Sequence, residues 1–462
     1  MKPVRNLLVL LLPALFFACT KESFSNDSSF LLSTSVDTLH FDTLFTSTGS
    51  TSQFIKVYND NNKGLTISSV RLLGGSSSPF KINVDGSAGP QVNNTDVLAN
   101  DSVYVYVTVS INPTAANLPF LVRDSIEIIY NGNKKIVQLE AYGKNAHFFR
   151  NKIIKTSEAW NNDLPYVILG GIIVDTNVTL TINKGCQIYS HADAPFIVNG
   201  TLRVNGEKFD STKVVFTGDR LDEPYRDFPA SYPGLIFTDV SKNNVINYAV
   251  IKNAYQGIIA AQPSIGTKLT LNETIIDNAY DAGLLGVNTS ITARNLLVSN
   301  CGKNILLLMG GNYNFTHCTA ATYSSNFIQH KDPVLVVSNY LNNSISDLNA
   351  VFRNCIFWGD ANGIVNDEVV VLKQGNTSFN VVFDQVLWRV QTNPPNSTTN
   401  GAINNQNPLF DTINTYQKIY SFRLKDNSPA IDKGLNAGVN IDLDGKPRPV
   451  AAKPDLGAYE KQ

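Results

Sequence analysis

The sequence is short of the residues that metal, redox and nucleic-acid chemistry use. Among 462 residues there are five cysteines and five histidines. No Cys-x-x-Cys or paired-His spacing brings them together, which argues against a zinc-type site. No basic stripe runs along the chain, and 37 Lys and Arg stand against 38 Asp and Glu. Nothing is therefore available to neutralise a run of phosphates, and nucleic acid is not an expected partner. Past the N-terminal residues, no apolar run reaches membrane-spanning length.

What is present begins with an export signal. Lys2 and Arg5 supply a positive start, residues 7–15 an apolar stretch too short to span a bilayer, and polar Thr20-Lys21-Glu22-Ser23 follows at once. Leu15-Phe-Phe-Ala18-Cys19 resembles the lipobox of bacterial lipoproteins. The resemblance implies removal of residues 1–18, lipidation of Cys19 and attachment to a membrane through that lipid. Thr at position 20, where Asp would favour inner-membrane retention, points to the outer membrane of a cell envelope. Removing residues 1–18 leaves 35 basic and 38 acidic side chains, a net charge near −3. Residues 19–36 are polar and Ser-rich and read as a flexible tether.

Over residues 37–144 the pattern is strict alternation. Val103, Val105, Val107, Val109 and Ile111 interleave with Tyr104, Tyr106, Thr108 and Ser110, which puts one apolar face against a core. Asn131-Gly132-Asn133 between two such runs is a hairpin signal. The order of strands resembles the immunoglobulin-like β-sandwich domains that precede solenoids in bacterial surface proteins, without their Cys and Trp pair. A spacer or docking role is expected of it.

From about residue 145 a coil-like recurrence takes over. Leu180 and Ile182 return as Leu202 and Val204 after 22 residues, with glycines at the corners. Downstream, a β-branched run ends repeatedly in Asn or His and a small residue: Asn253-Ala, Asn278-Ala, Asn300-Cys301, His317-Cys318, Asn354-Cys355. The steps are 25, 22, 17 and 37 residues, and the last reads as two turns. Equivalent places in stacked coils should align these amides in one file, with Cys301, Cys318 and Cys355 buried together as free thiols; a disulfide between turns is the alternative. Trp160 would close the open first coil. This recurrence resembles the right-handed parallel β-helix family over residues 145–425. The fold class expected is all-β throughout.

Residues 426–462 resemble the closing segment of many bacterial β-helix proteins, on the strength of Asn427-Ser-Pro-Ala-Ile-Asp432, Asp442-Leu-Asp444-Gly445 and Asp455-Leu-Gly457. Asp442-x-Asp444-Gly445 admits calcium, but without the distal Glu of a calcium loop a cap held by Arg448 and carboxylates is preferred. No other cofactor is expected.

β-Helix enzymes that act on polysaccharides use paired or triple Asp residues, or a Lys or Arg base with calcium. Their Asn-Thr-Asp, Gly-His-Gly and Arg-x-Pro-x-x-Arg signatures are missing. His191, His317 and His330 lie in the solenoid, and His317 occupies an Asn place in the file, which favours a hydrogen-bonded structural role. Residues 219–232 interrupt the even coils with charge and aromatics. Arg220, Asp222, Glu223, Tyr225, Arg226 and Tyr232 are the candidate ligand-binding residues there, the rings for sugar faces and the charges for hydroxyls or carboxylates. The competing account is a solvated loop that pairs its own charges. Residues 391–400 form a second polar insertion, expected to be mobile. Six Asp-Ser/Thr-x triplets, Asp37-Thr38-Leu39 among them, look like the O-glycosylation consensus of certain Gram-negative envelope proteins. The function expected is non-catalytic binding of glycan or another envelope component, a surface protein included. A polysaccharide lyase or glycoside hydrolase, and a structural spacer or adhesin, are the alternatives.

Overall fold

The computed structural model describes residues 23–46, 49–112, 120–264, 266–325 and 327–462. The expected signal segment and Cys19 lie outside them. The chain divides at Asn145/Ala146 into two compact units. No α-helix occurs among the described residues; everything regular is strand, apart from two short 3-10 turns.

In the first unit two five-stranded sheets share one apolar core. One runs in the order Ser33–Thr34, Gln53–Asn59, Asp101–Val109, Phe80–Val84, Ser87–Ala88. The other runs Thr38–Phe45, Asn133–Lys144, Phe120–Tyr130, Leu65–Leu72, Gln91–Val97. The alternating valines of Asp101–Val109 point inward and meet Ile67, Val70, Ile126 and Leu139. Asn131 and Gly132 take φ of 44° and 75°, which is the two-residue turn a hairpin of right-twisted strands requires. The polar residues before position 37 are not a tether from Phe24 onward. Phe24 bridges to Gly64, Ser33–Thr34 pairs with Gln53–Asn59, and Leu32 is buried in the core. The Ser-rich composition masks Phe30 and Leu32, which pack on and into the core, and their burial offsets the chain entropy.

The second unit is one continuous parallel sheet of 24 strands, wound into stacked coils that resemble a β-helix solenoid. Three faces make each coil. On the second face an inward row runs Ile182, Val204, Ile246, Leu271, Ala293, Phe315, Phe352, Phe383. Its last three rings stack at 5.3 and 5.1 Å between centroids. On the third face the inward row is Ile251, Ile276, Val298, Ala320, Phe357. His147–Ile154 and Glu158–Trp160 add parallel strands ahead of the first full coil, and buried Trp160 stacks on Tyr166 at 4.4 Å.

Register corrects the single Asn file. Asn253, Asn278 and Asn300 stand at one corner, after the third face. Tyr248, Glu273, Asn295, His317 and Asn354 stand at the corner between the second and third faces. All eight have φ between 46° and 65°. Asn is common there because it tolerates left-handed backbone, so both corners select the same residue type and look alike in sequence. The 17-residue step from Asn300 to His317 crosses from one corner to the other. The 37-residue step from His317 to Asn354 is one coil enlarged by an insertion, since Thr316 and Arg353 are direct neighbours. Cys318 therefore stacks beneath Cys355, while Cys301 belongs to the other corner; these three and Cys186 are buried free thiols.

The closing segment is likewise not an end cap. After the hairpin Phe410–Asn414 and Ile419–Leu424, it lies along the solenoid's flank and touches successive coils. Asn354 donates to Leu435 O (2.7 Å), Thr319 accepts from Ala458 N (2.9 Å), and Asn295 donates to Ile441 O (2.9 Å). It buries Leu297, Ala321, Ile356 and Leu387, which point outward from the third face. Of the 391–400 insertion, Thr398–Asn400 pairs in parallel with Val382–Asp384 and so belongs to the sheet.

Candidate functional site

Outward-facing side chains of the third face form a row: Tyr189, Thr217, Lys252, Asp277, Ser299. Successive coils supply them at one strand spacing, so their positions are fixed by a rigid backbone. Further along, the closing segment covers the same face. Over the earlier coils it stays open, as a groove between the 219–232 insertion and the 410–424 hairpin.

The Asn corner fixes the wall formed by the insertion. Asn253 Nδ2 donates to Arg226 O (2.8 Å) and Asn278 Nδ2 donates to Asp227 O (3.0 Å) and to Asn253 Oδ1 (2.9 Å). The amides that stack between coils thus also hold a non-repeating loop in place. Phe228 packs on Phe327 at 4.7 Å, and Lys418 from the opposite hairpin lies 4.6 Å over the Phe327 ring.

Two cavities occupy the groove, of about 540 and 220 Å³, and both are lined by Asp227 and Lys252. The larger reaches Tyr189, Lys213, Arg220 and Arg226; the smaller reaches Asp277, Asn300, Lys418 and Tyr420. Burial raises the carboxyl pKa of Asp277, while Ser299 Oγ (2.6 Å), Asn300 Nδ2 (3.3 Å) and the charge of Lys252 draw it back. Burial, with the nearby Asp277 charge, also raises the phenol of Tyr420. At the groove's other end His191 meets Asp219 at 2.7 Å, and burial raises that carboxyl as well.

The sequence-derived candidates divide. Arg220 and Arg226 line the larger cavity. Each is also paired within the loop: Arg220 forks onto Asp222 (2.7 and 2.7 Å) and lies 4.1 Å over the Tyr225 ring, and Arg226 pairs with Glu223 (2.5 Å). Asp222, Glu223 and Tyr225 serve to hold those guanidinium groups. Tyr232 is 1 % exposed, its backbone bridged to Ala254, so as a core side chain it cannot meet a ligand. Lys252, Asp277, Lys418 and Tyr420 were missed. The first two sit in ordinary strands of the repeat, where only the register shows that they share a row; the last two come from some 140 residues further along the chain.

Other polar clusters bond mostly within themselves, leaving His317 Nδ1 and Arg389 Nε without partners among the described residues. His317 is buried, its imidazole held down to a pKa of about 2 by burial and by Arg448, and it meets Asn354 Nδ2 at 2.9 Å. His330 is buried between Asp360 (2.6 Å) and Glu368 (3.2 Å), with Arg389 on the far oxygen of Glu368 (2.5 Å). Asp442 accepts main-chain N–H from Asp444, Lys446 and Glu460, and Asp444 accepts both arms of Arg423. These contacts occupy the oxygens that calcium would need. No group of three or more His, Cys, Asp or Glu able to hold a metal ion occurs among the described residues. A further depression of about 600 Å³ at another corner is lined by Ser290, Asn312 and Asn349, with Asp347 its one charged side chain.

No protein-family model matches the sequence, and no curated protein matches it. Among solved structures, a family 123 glycoside hydrolase from Clostridium perfringens is 14% identical, with a TM-score of 0.19, over 25% of this chain and 26% of that one. This chain thus spans about a quarter of that hydrolase's length. The catalytic unit of a thermostable GH87 α-1,3-glucanase from Streptomyces thermodiastaticus strain HF3-3 is 12% identical, with a TM-score of 0.24, over 76% and 88% of the two chains. At these scores neither likeness bears on the chemistry of the groove.

Proposed function

We propose that this chain is a lipid-anchored cell-envelope protein that binds glycan in the third-face groove without turning it over. In this reading an immunoglobulin-like sandwich carries a right-handed parallel β-helix. The observation that supports it is the row Tyr189, Thr217, Lys252, Asp277 on rigid strands, facing Arg220 and Arg226 across an open groove. A ring face, hydroxyls and both signs of charge in one line suit a polyhydroxylated chain lying across the coils. A glycoside hydrolase is the second reading, because Asp227 and Asp277 line one cavity and burial raises Asp277, as a general acid requires.

Retention of the purified chain in gels containing a panel of polysaccharides tests both. Lys252→Ala is expected to weaken retention about tenfold, the scale of one lost charged hydrogen bond. Unchanged retention on every polymer would remove the groove as a binding site. Release of reducing ends, abolished in Asp277→Asn, would replace the binder with the hydrolase. For the anchor, Cys19→Ala should move the protein from membrane to soluble fractions. Continued membrane attachment of an unlipidated chain would refute it.

A further inference from the structure

The outer face of the first sheet of the N-terminal unit carries an aromatic cluster that no role described above uses. Phe54, Lys56 and Tyr58 point outward from Gln53–Asn59, and Tyr104 and Tyr106 from the neighbouring Asp101–Val109, with Phe54 opposite Tyr106 and Lys56 opposite Tyr104. Tyr104 and Tyr106 stack at 5.8 Å with their planes 14° apart, and Phe54 meets both at 5.3 and 6.2 Å. The Lys56 ammonium lies 4.8 Å over the Tyr104 ring. Asp101–Val109 has a strand on either side, and Gln53–Asn59 pairs with it along its whole length, with the short Ser33–Thr34 on its other side at Val57 and Tyr58.

Cross-strand stabilisation alone is a poor account of the cluster. Aromatic pairs of this kind contribute most when the rings are covered, yet Phe54 remains 49 % exposed and Tyr106 43 % exposed. Contiguous exposed rings on one rigid face mark an interaction surface, whereas single scattered ones do not. The charge nearest the rings on the paired strands is positive, and the nearest carboxylate is Asp85, just past a strand end, whose N–H donates to Tyr104 O. Lys56 and, on the next strand, Lys81 point outward beside the rings, Asn83 sits opposite Tyr106, and the outward positions of Gln53–Asn59, Phe80–Val84 and Asp101–Val109 between the strand ends hold no carboxylate.

We infer that this platform is a second glycan-binding site, separate from the groove, and that it takes an acidic polysaccharide. The exposed rings of Phe54 and Tyr106 offer apolar surface to the C–H faces of sugar rings, and Lys56 and Lys81 meet the carboxylates that a uronate-containing chain carries. The inference rests on reading the protein as a glycan binder, and its test separates the two.

Retention of the full chain is measured in gels containing polygalacturonate and, in parallel, dextran, for the parent, for Phe54→Ser/Tyr106→Ser, and for Lys252→Ala. Melting of the platform variant, whose substitutions are at exposed positions, checks that the unit stays folded. Expected is a loss of at least fivefold in retention by polygalacturonate for the platform variant, with the parent's retention by the same polymer weakened by added salt and dextran unaffected. That loss should persist when the platform substitutions are added to Lys252→Ala. Undiminished polygalacturonate retention in the folded platform variant overturns the inference, whether or not Lys252→Ala still weakens binding in the groove. Equal losses on dextran and polygalacturonate overturn the acidic specificity. A change from dimer to monomer by light scattering, without change in retention, would assign the face to a second copy of this chain and also overturn it.

Discussion

Replacing Glu368 with Gln should lower the stability of the solenoid by roughly 3–5 kcal/mol, the usual cost of breaking a buried ion network from one side. Glu368 is fully buried and shared by the His330 imidazole and the Arg389 guanidinium. Its neutral analogue leaves two cationic donors facing one amide. The same cluster makes stability depend on pH. Burial alone would depress His330, but its hydrogen bonds to Asp360 and Glu368 outweigh it and carry the imidazole to about 9. Because the folded value lies above the unfolded value of about 6.5, the contribution is complete below that pH and is lost as pH rises through 9. The parent's melting should therefore fall across pH 6.5–9.5 by about 3 kcal/mol, and the Glu368→Gln profile should be much flatter. A parent profile that is level over this window would dispose of the charged imidazole. Gly359 lies against the same groups: a Cβ there would come 2.2 Å from Glu368 Oε1, so Gly359→Ala should reproduce part of the loss.

Arg448→Met is expected to release the closing segment from the flank before the coils themselves melt. The guanidinium is wholly buried and donates to Glu460 (2.9 Å), Asn295 Oδ1 (3.0 Å) and Gly457 O (3.1 Å). Methionine fills the volume but leaves the Glu460 carboxylate buried and unpaired, at a cost of roughly 3–5 kcal/mol. Arg448→Lys should recover little, since one ammonium cannot reproduce three diverging donors. Hydrogen exchange over residues 427–460 gives the readout. Protection that equals the parent's in the Met variant would show that the segment is held by its apolar contacts alone.

Local patterns were legible wherever one face of a strand decided the residue. The alternating valines of 103–109, the Asn131-Gly132 turn and the 22-residue return of Leu180 as Leu202 all appear in the fold as read. The corners misled because left-handed backbone selects Asn wherever it occurs, so two files separated by a whole sheet face merged into one pattern. The 17-residue interval was the trace of that merger, being shorter than the 22-residue steps of the coils from Leu271 to Ala293 and from Ala293 to Phe315. The site was less legible still. A charged loop draws the eye to Arg220, Asp222 and Glu223, yet those charges satisfy one another. Lys252 and Asp277 gain meaning only from standing side by side on neighbouring strands, and Tyr420 from a chain reversal that no periodicity announces. Tyr104 and Tyr106 were visible as the outward half of an alternating pattern, but that Phe54 meets them depends on the pairing register.

A column of coils joined only to nearest neighbours behaves as a one-dimensional array, free to fray from either end or to open in the middle. The closing segment changes that connectivity. By bonding to the coils of Asn295, Thr319 and Asn354 at once, it ties together three consecutive coils, the first and third of which do not pair with each other, and should make them open together. It also comes last in chain order. During synthesis, Leu297, Ile356 and Leu387 are therefore in place as an uncovered apolar strip before the residues that shield them have emerged. For that interval the nascent solenoid is a natural client for a holding chaperone, and a chain shortened before residue 426 would keep the strip exposed for good.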